Sequence, residues 1–179
     1  MSEKVTVVLV PMEERDKGEY DRLLLEADES EEMIARYKHR GDMYAAYTEE
    51  RLLGIAILLP CTEEMVEIKN IAVCRGEQGK GYGKQFISCL EEKAKEADYK
   101  VMVVGTANSS LDNLAFYQKV GFRITGIKAD FFLQYPYPIW ENGIRALDMV
   151  ILKKIYKTKA GFQEHFAKGT TVSTIVPLS

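Results

Sequence analysis

The chain has 179 residues, 46% hydrophobic and 28% charged, which is enough apolar material for one globular domain with a sizeable core. A net charge of -3 argues against a nucleic-acid surface, no apolar run is long enough to span a bilayer, and the N-terminus lacks a signal-peptide layout, so a cytoplasmic location is expected. Cys61, Cys74 and Cys89 form no C-x-x-C pair and lie far in sequence from His39 and His165, which indicates neither a disulfide framework nor a zinc site.

In chain order, Val5 to Val10 read as a first strand ended by Pro11. From Asp16 a helix is expected, with Tyr20, Leu23, Leu24 and Ala27 on one apolar face. Ser30 caps a second helix whose first turn is acidic and which Gly41 stops. Glu26, Asp28 and Glu29 on the loop between them are read either as solvated charge or as one wall of an acceptor site. Met43 to Tyr47 and Leu52 to Leu59 suggest a hairpin, the second strand apolar throughout, as in mid-sheet. Met65 to Val73 is a further strand, unusual in carrying Glu67, Lys69 and Asn70, which are costly there unless paired or facing a cleft.

Gly76, Gly79, Gly81 and Gly83 come next, and then a helical pattern with Phe86, Ile87, Leu90, Ala94 and Ala97 on one face. Lys100 to Gly105 is a strand, Asn108-Ser109-Ser110 caps a helix ended by Gly121, and Phe122 to Ile127 returns as a strand. Ala129 to Arg145 is rich in aromatics and broken by Pro136 and Pro138, a loop folded over a ligand, an interface or its own core. Ala146 to Lys153 reads as the last strand, and residues 154–179 as a polar tail that docks, pairs with a second subunit or stays loose. Strands alternating with helices imply an α/β layer structure.

A strand, a glycine loop and a helix start converge backbone N–H groups into a cradle for phosphate. A nucleotide P-loop would need Gly and Ser or Thr where Gln78 and Gln85 stand, and a dinucleotide fingerprint would need a small residue at Lys84 or Phe86. What remains is Gln78-Gly79-Lys80-Gly81-Tyr82-Gly83, a Q-x-x-G-x-G run that resembles the coenzyme A pyrophosphate loop of the GNAT superfamily of acyl-CoA N-acyltransferases. Leu114 to Phe122, LAFYQKVGF, is similar to the second signature of that family, a short helix ending in Tyr with Gly-Phe opening the next strand.

The resemblance covers about residues 1–153, taken as the acetyltransferase domain, with 154–179 as a separate docking or interface segment. It implies a mixed, mostly antiparallel sheet of six to seven strands flanked by about four helices, with acetyl-CoA as co-substrate and no metal. Carried onto this chain, it assigns Ile71 and Val73 as backbone partners of acetyl-CoA, Gln78, Gly79, Gly81, Gly83 and Lys84 to the pyrophosphate, and added charge to Lys80 and Lys84. The family's pantetheine-contacting Asn is replaced by Ser110, with Asn108 two residues before it.

The resemblance also implies Glu67 as the base, otherwise an ion-pair partner of Lys69, and Tyr117 as the acid for the departing thiolate, otherwise core packing. The backbone N–H of Ile71 would meet the thioester oxygen. Cys74 has no sequence-adjacent His to activate it, so direct transfer in a ternary complex to a primary amine of a small molecule or peptide is the expected reaction. Asp130, Glu141 and Asp148 favour a cationic acceptor, and the aromatic loop and tail are candidate contacts of a homodimer. The rival readings are a non-catalytic acyl-CoA sensor and a nucleotide-binding protein with a degenerate phosphate loop.

Overall fold

A computed structural model describes residues 7–49 and 51–156. The first strand, β1 (Val8–Pro11), pairs with β2 (Asp42–Thr48) and runs one residue further than expected, since Pro11 is tolerated at the end of an edge strand. Next comes a 3-10 helix, Glu14–Tyr20, and only then a single α-turn, α1 (Asp21–Leu24). The single amphipathic helix expected from Asp16 is thus split. Gly18 weakens it, and Lys17 is drawn inward to donate to the carbonyls of Lys38 at 3.1 Å and Gly41 at 2.9 Å, which close the helix α2 (Glu31–Tyr37). Ser30 caps α2 as expected, its Oγ accepting from the N–H of Met33 at 3.2 Å.

The sheet continues with β3 (Arg51–Pro60), β4 (Met65–Val73), β5 (Val101–Ala107), β6 (Arg123–Lys128) and β9 (Met149–Ile155), with a separate two-residue hairpin of β7 (Trp140–Glu141) and β8 (Ile144–Arg145). The order β1-β2-β3-β4-β5-β9-β6 gives seven strands, antiparallel except for β4 beside β5. Two long helices, α3 (Tyr82–Glu96) and α4 (Leu111–Lys119), cover one face, and α1 and α2 cover the other. This is the mixed, mostly antiparallel architecture expected. β3 is buried on both sides, with Ala56 and Leu58 packed in the cluster under α3 and Ile55 and Ile57 in the cluster under α1 and α2.

Two irregularities in β4 open the centre of the sheet. First, β4 pairs with β5 only from Met65–Val101 to Ile68–Val104. Beyond that β4 stays with β3 up to Val73 while β5 stays with β9 up to Ala107. The two neighbours part, and a wedge runs between them. Second, the β3–β4 register steps from Ile57↔Asn70 to Leu58↔Ile68, which leaves Lys69 as the extra residue of a β-bulge.

A bulge exchanges the faces of a strand. Val66 and Ile68 pack under α3 before it, Ile71 and Val73 pack there after it, and Ala72 joins the opposite cluster. By the same alternation Glu67 shares the α1/α2 face with Asn70.

The last strand starts at Met149 rather than Ala146 and continues to Ile155, so it takes in the first two residues of the tail expected over 154–179, and the tail from 157 onward lies outside the described residues. Ala146 to Asp148 are held out of the sheet, because the N–H of Ala146 donates to the carbonyl of Ile139 at 2.9 Å and the side-chain Oδ1 of Asn108 accepts from the N–H groups of Leu147 at 2.8 Å and Asp148 at 3.0 Å.

Candidate active site

The wedge opens into a cleft of about 800 Å³ lined by residues from both faces of the sheet. It is lined at one end by the glycine loop and the start of α3, and at the other by the α1–α2 loop and the aromatic segment. Of the residues expected from sequence, Glu67, Ile71, Val73, Gln78, Gly79, Gly81, Gly83, Lys84, Ser110 and Tyr117 line this one cleft. Lys80 and Asn108 do not. Lys80 lies 3.2 Å from Glu77, and the amide of Asn108 is consumed by Leu147, Asp148 and the carbonyl of Arg145.

The glycine loop is built by backbone geometry. Gly79 and Gly81 have φ of 75° and 84°, the left-handed region that lets successive N–H groups point the same way. Gln78 closes the loop by donating from Nε2 to the carbonyl of Val73 at 2.9 Å. Among the described residues, the N–H groups of Gly79, Lys80 and Gly81 find no backbone or side-chain acceptor, and Gly81, the N-cap of α3, supplies no capping side chain. Unpaired N–H groups at the positive end of a fifteen-residue helix form a site for an anion such as a diphosphate.

Across the wedge, Tyr117 is only 6% exposed and packs edge-on against Phe116 and Phe122, with ring centroids 5.3 and 5.7 Å away. Burial raises its phenol well above the ordinary value, so it keeps its proton throughout the neutral range. Its hydroxyl makes no hydrogen bond to another described residue.

Ser110 departs from a capping role, because both Ser109 and Ser110 turn their hydroxyls to the carboxylate of Glu141, Ser109 at 3.2 Å. Glu141 therefore reaches the cleft, whereas Asp148 accepts the N–H of Asp130 at 2.9 Å and both stand off it.

A wedge between strands, a free amide cradle and a protonated Tyr are the parts an acyl-CoA transferase needs. A profile of the acetyltransferase (GNAT) family matches residues 9–122 of the chain. The chain belongs to this family. It is 45% identical over 141 residues to an uncharacterized N-acetyltransferase, YvbK, of Bacillus subtilis, a match that covers 78% of this chain and 90% of that protein. It is also similar to a solved GNAT acetyltransferase from Elizabethkingia anophelis with acetyl-CoA bound, at 43% identity and a TM-score of 0.79, over 84% of this chain and 99% of that one. A solved Bacillus subtilis acetyltransferase in complex with CoA is 40% identical with a TM-score of 0.74, over 86% of this chain and 99% of that one. This acetyltransferase is an acetyl-CoA-dependent enzyme, and its open amide cradle suits the diphosphate of that co-substrate.

For the acetyltransferase, Gly81→Ala is expected to weaken acetyl-CoA binding without a clash. A Cβ there meets nothing within 4 Å, but the left-handed backbone would be strained. That strain is about 1–2 kcal/mol for a residue with a Cβ. Relaxing it would turn the amides and raise Kd roughly tenfold by calorimetry.

Sequence reasoning missed the polar network at the α1–α2 end of the cleft. Asp28 accepts from Ser30 N–H at 3.3 Å, the Tyr37 hydroxyl at 3.1 Å and the Tyr135 hydroxyl at 3.1 Å, and the amide of Asn70 donates to Tyr37 at 2.9 Å and to the carbonyl of Leu24 at 3.1 Å. Burial of Asp28 outweighs these bonds and raises its carboxyl above the usual range. The available signals were a polar Asn70 on a central strand and the acidic loop, and both lead into this network.

Proposed function

We propose that the enzyme transfers acetyl from acetyl-CoA directly to the primary amine of a cationic small molecule or peptide, within one ternary complex. The observation that carries this is the placement of Glu67 and Tyr117 on opposite faces of the sheet at one wedge, Glu67 toward α1 and α2, Tyr117 packed with α3. Acetyl-CoA enters from the glycine loop, and the amine from the α1–α2 side. Glu67 takes the proton that an ammonium must lose before it can attack, and the backbone N–H of Ile71 faces the developing oxyanion. Tyr117 stands over the departing sulfur. Burial raises the thiol of Cys74 above its ordinary value, which disfavours a thiolate and so an acyl-enzyme.

The acceptor end carries Glu26, Asp28, Glu29 and Glu67. Glu26 is 3.4 Å from Arg75 and Glu67 is 3.4 Å from Lys69, which leaves Asp28 and Glu29 to receive positive charge. The test is a steady-state assay against a panel of primary amines, wild type beside Glu67→Gln. Turnover of at least one cationic amine, reduced at least about 100-fold in the variant, is expected. Tight CoA binding with no turnover of any amine would instead favour a sensor, a reading disfavoured by the polar chamber beyond the wedge.

Asp28→Asn should separate binding from stability. The carboxyl titrates higher folded than unfolded, so its stabilising contribution is complete below the unfolded value and is lost as pH rises through the folded one. Wild type is therefore expected to gain on Asp28→Asn in Tm as pH is lowered from about 7 to about 4, spanning the carboxylate range. At neutral pH the variant should raise KM for a cationic amine roughly tenfold, the loss of about 1.4 kcal/mol of charge-assisted binding.

A further inference from the structure

One primary amine already stands at the acceptor end of the cleft. Lys69 is the bulged residue of β4 and the first on that strand without a partner on β5, so it sits at the apex of the wedge. Its side chain is 13% exposed, and its ammonium is 3.4 Å from Oε1 of Glu67 and 5.7 Å from the centroid of the Tyr37 ring. The chain's other close lysine–glutamate pairs include Lys93–Glu96 and Lys95–Glu92, which lie on the solvent side of α3 and do not line this cleft. Lys69 differs in being enclosed with the carboxylate assigned as base, two residues before the N–H assigned to the oxyanion.

We propose that Lys69 is a self-acetylation site: with no external amine bound, the enzyme acetylates its own Nζ. The inference rests on the reading of Glu67 as the base. Glu67 takes one proton from the Lys69 ammonium, and the freed Nζ lone pair forms the C–N bond to the thioester carbon. The C–S bond breaks with its electron pair on sulfur beneath the Tyr117 hydroxyl. A second N–H proton is lost as the amide forms and ends on the sulfur as CoA thiol, while Glu67 releases the first to solvent. Acetylation removes the charge of Lys69 and its hold on Glu67, so the carboxylate is left to an incoming amine.

Purified protein is incubated with acetyl-CoA and no amine, followed by intact mass and peptide mapping, with amine turnover measured in parallel. The expected result is one acetyl group per chain, on Lys69, at a rate independent of protein concentration. It should be slowed at least about tenfold in Glu67→Gln and absent in Lys69→Arg. The exposed Lys93 and Lys95 serve as internal controls, labelling slowly and equally in all three proteins. If amines are turned over while Lys69 stays unmodified, self-acetylation is wrong and the proposed function stands. Labelling of Lys69 at the same rate in wild type and Glu67→Gln would also overturn it. Failure of both reactions removes both readings.

Discussion

Tyr117→Phe is expected to lower kcat by roughly 10²- to 10³-fold, the usual share of a positioned proton donor, while acetyl-CoA affinity and Tm stay close to wild type. The split comes from how the side chain is held. Its ring is fixed by edge contacts to Phe116 and Phe122 that Phe retains, and its hydroxyl has no hydrogen bond to another described residue that removal would orphan. Under the proposed mechanism only the reacting sulfur would lose a partner. A phenol raised by burial is a weak acid, but a thiolate leaving into the same dry surroundings, as proposed, would have its basicity raised in the same direction. In the proposed transfer the hydroxyl would therefore serve by holding a hydrogen bond on sulfur as negative charge appears. Its titration should produce no loss of activity below about pH 10, the ordinary tyrosine value. A Phe variant with wild-type kcat would move the donor elsewhere.

The parts of the molecule legible in the sequence are those that short-range rules govern. The strand from Met65 to Val73 has the expected bounds, because β-branched residues, a polar turn before it and a glycine loop after it are all local signals. The cradle was equally legible, since positive φ at Gly79 and Gly81 is a property of the residue type. Side-chain commitments across long separations were not. Asn108 looked like a cap or a pantetheine contact and is instead spent on Leu147 and Asp148, some forty positions away. Tyr135 meets Asp28 across 107 positions, and nothing near either residue announces it. The bulge at Lys69 was equally hidden, because an extra residue in one strand is defined only by the partner strand. The Asn142-Gly143 turn of the small hairpin is a local signal too, set in a segment whose prolines argue against regular structure.

Gly54→Ala is expected to be the most damaging single methyl in the sheet, lowering stability by about 3 kcal/mol, the upper end for overpacking. On the scale of about 2–4 °C per kcal/mol for a chain of this size, Tm should fall by roughly 6–12 °C. A Cβ on Gly54 would lie 2.2 Å from the carbonyl oxygen of Ala72 and 3.1 Å from Cα of Val73, so what must yield is backbone, and it is the backbone of β4 beside the wedge. Relief comes by pushing β4 away from β3, toward the gap proposed to admit acetyl-CoA, so acetyl-CoA affinity should fall together with Tm. Gly105→Ala supplies the contrast. Its Cβ would meet the thioether of Met149 at 2.4 Å, nominally almost as severe, but a flexible side chain can turn aside where a strand cannot. Differential scanning calorimetry of the two variants should therefore give the larger loss at Gly54. Equal losses would mean that β4 is free to shift, and the wedge would then owe its width to something other than the β3–β4 ladder.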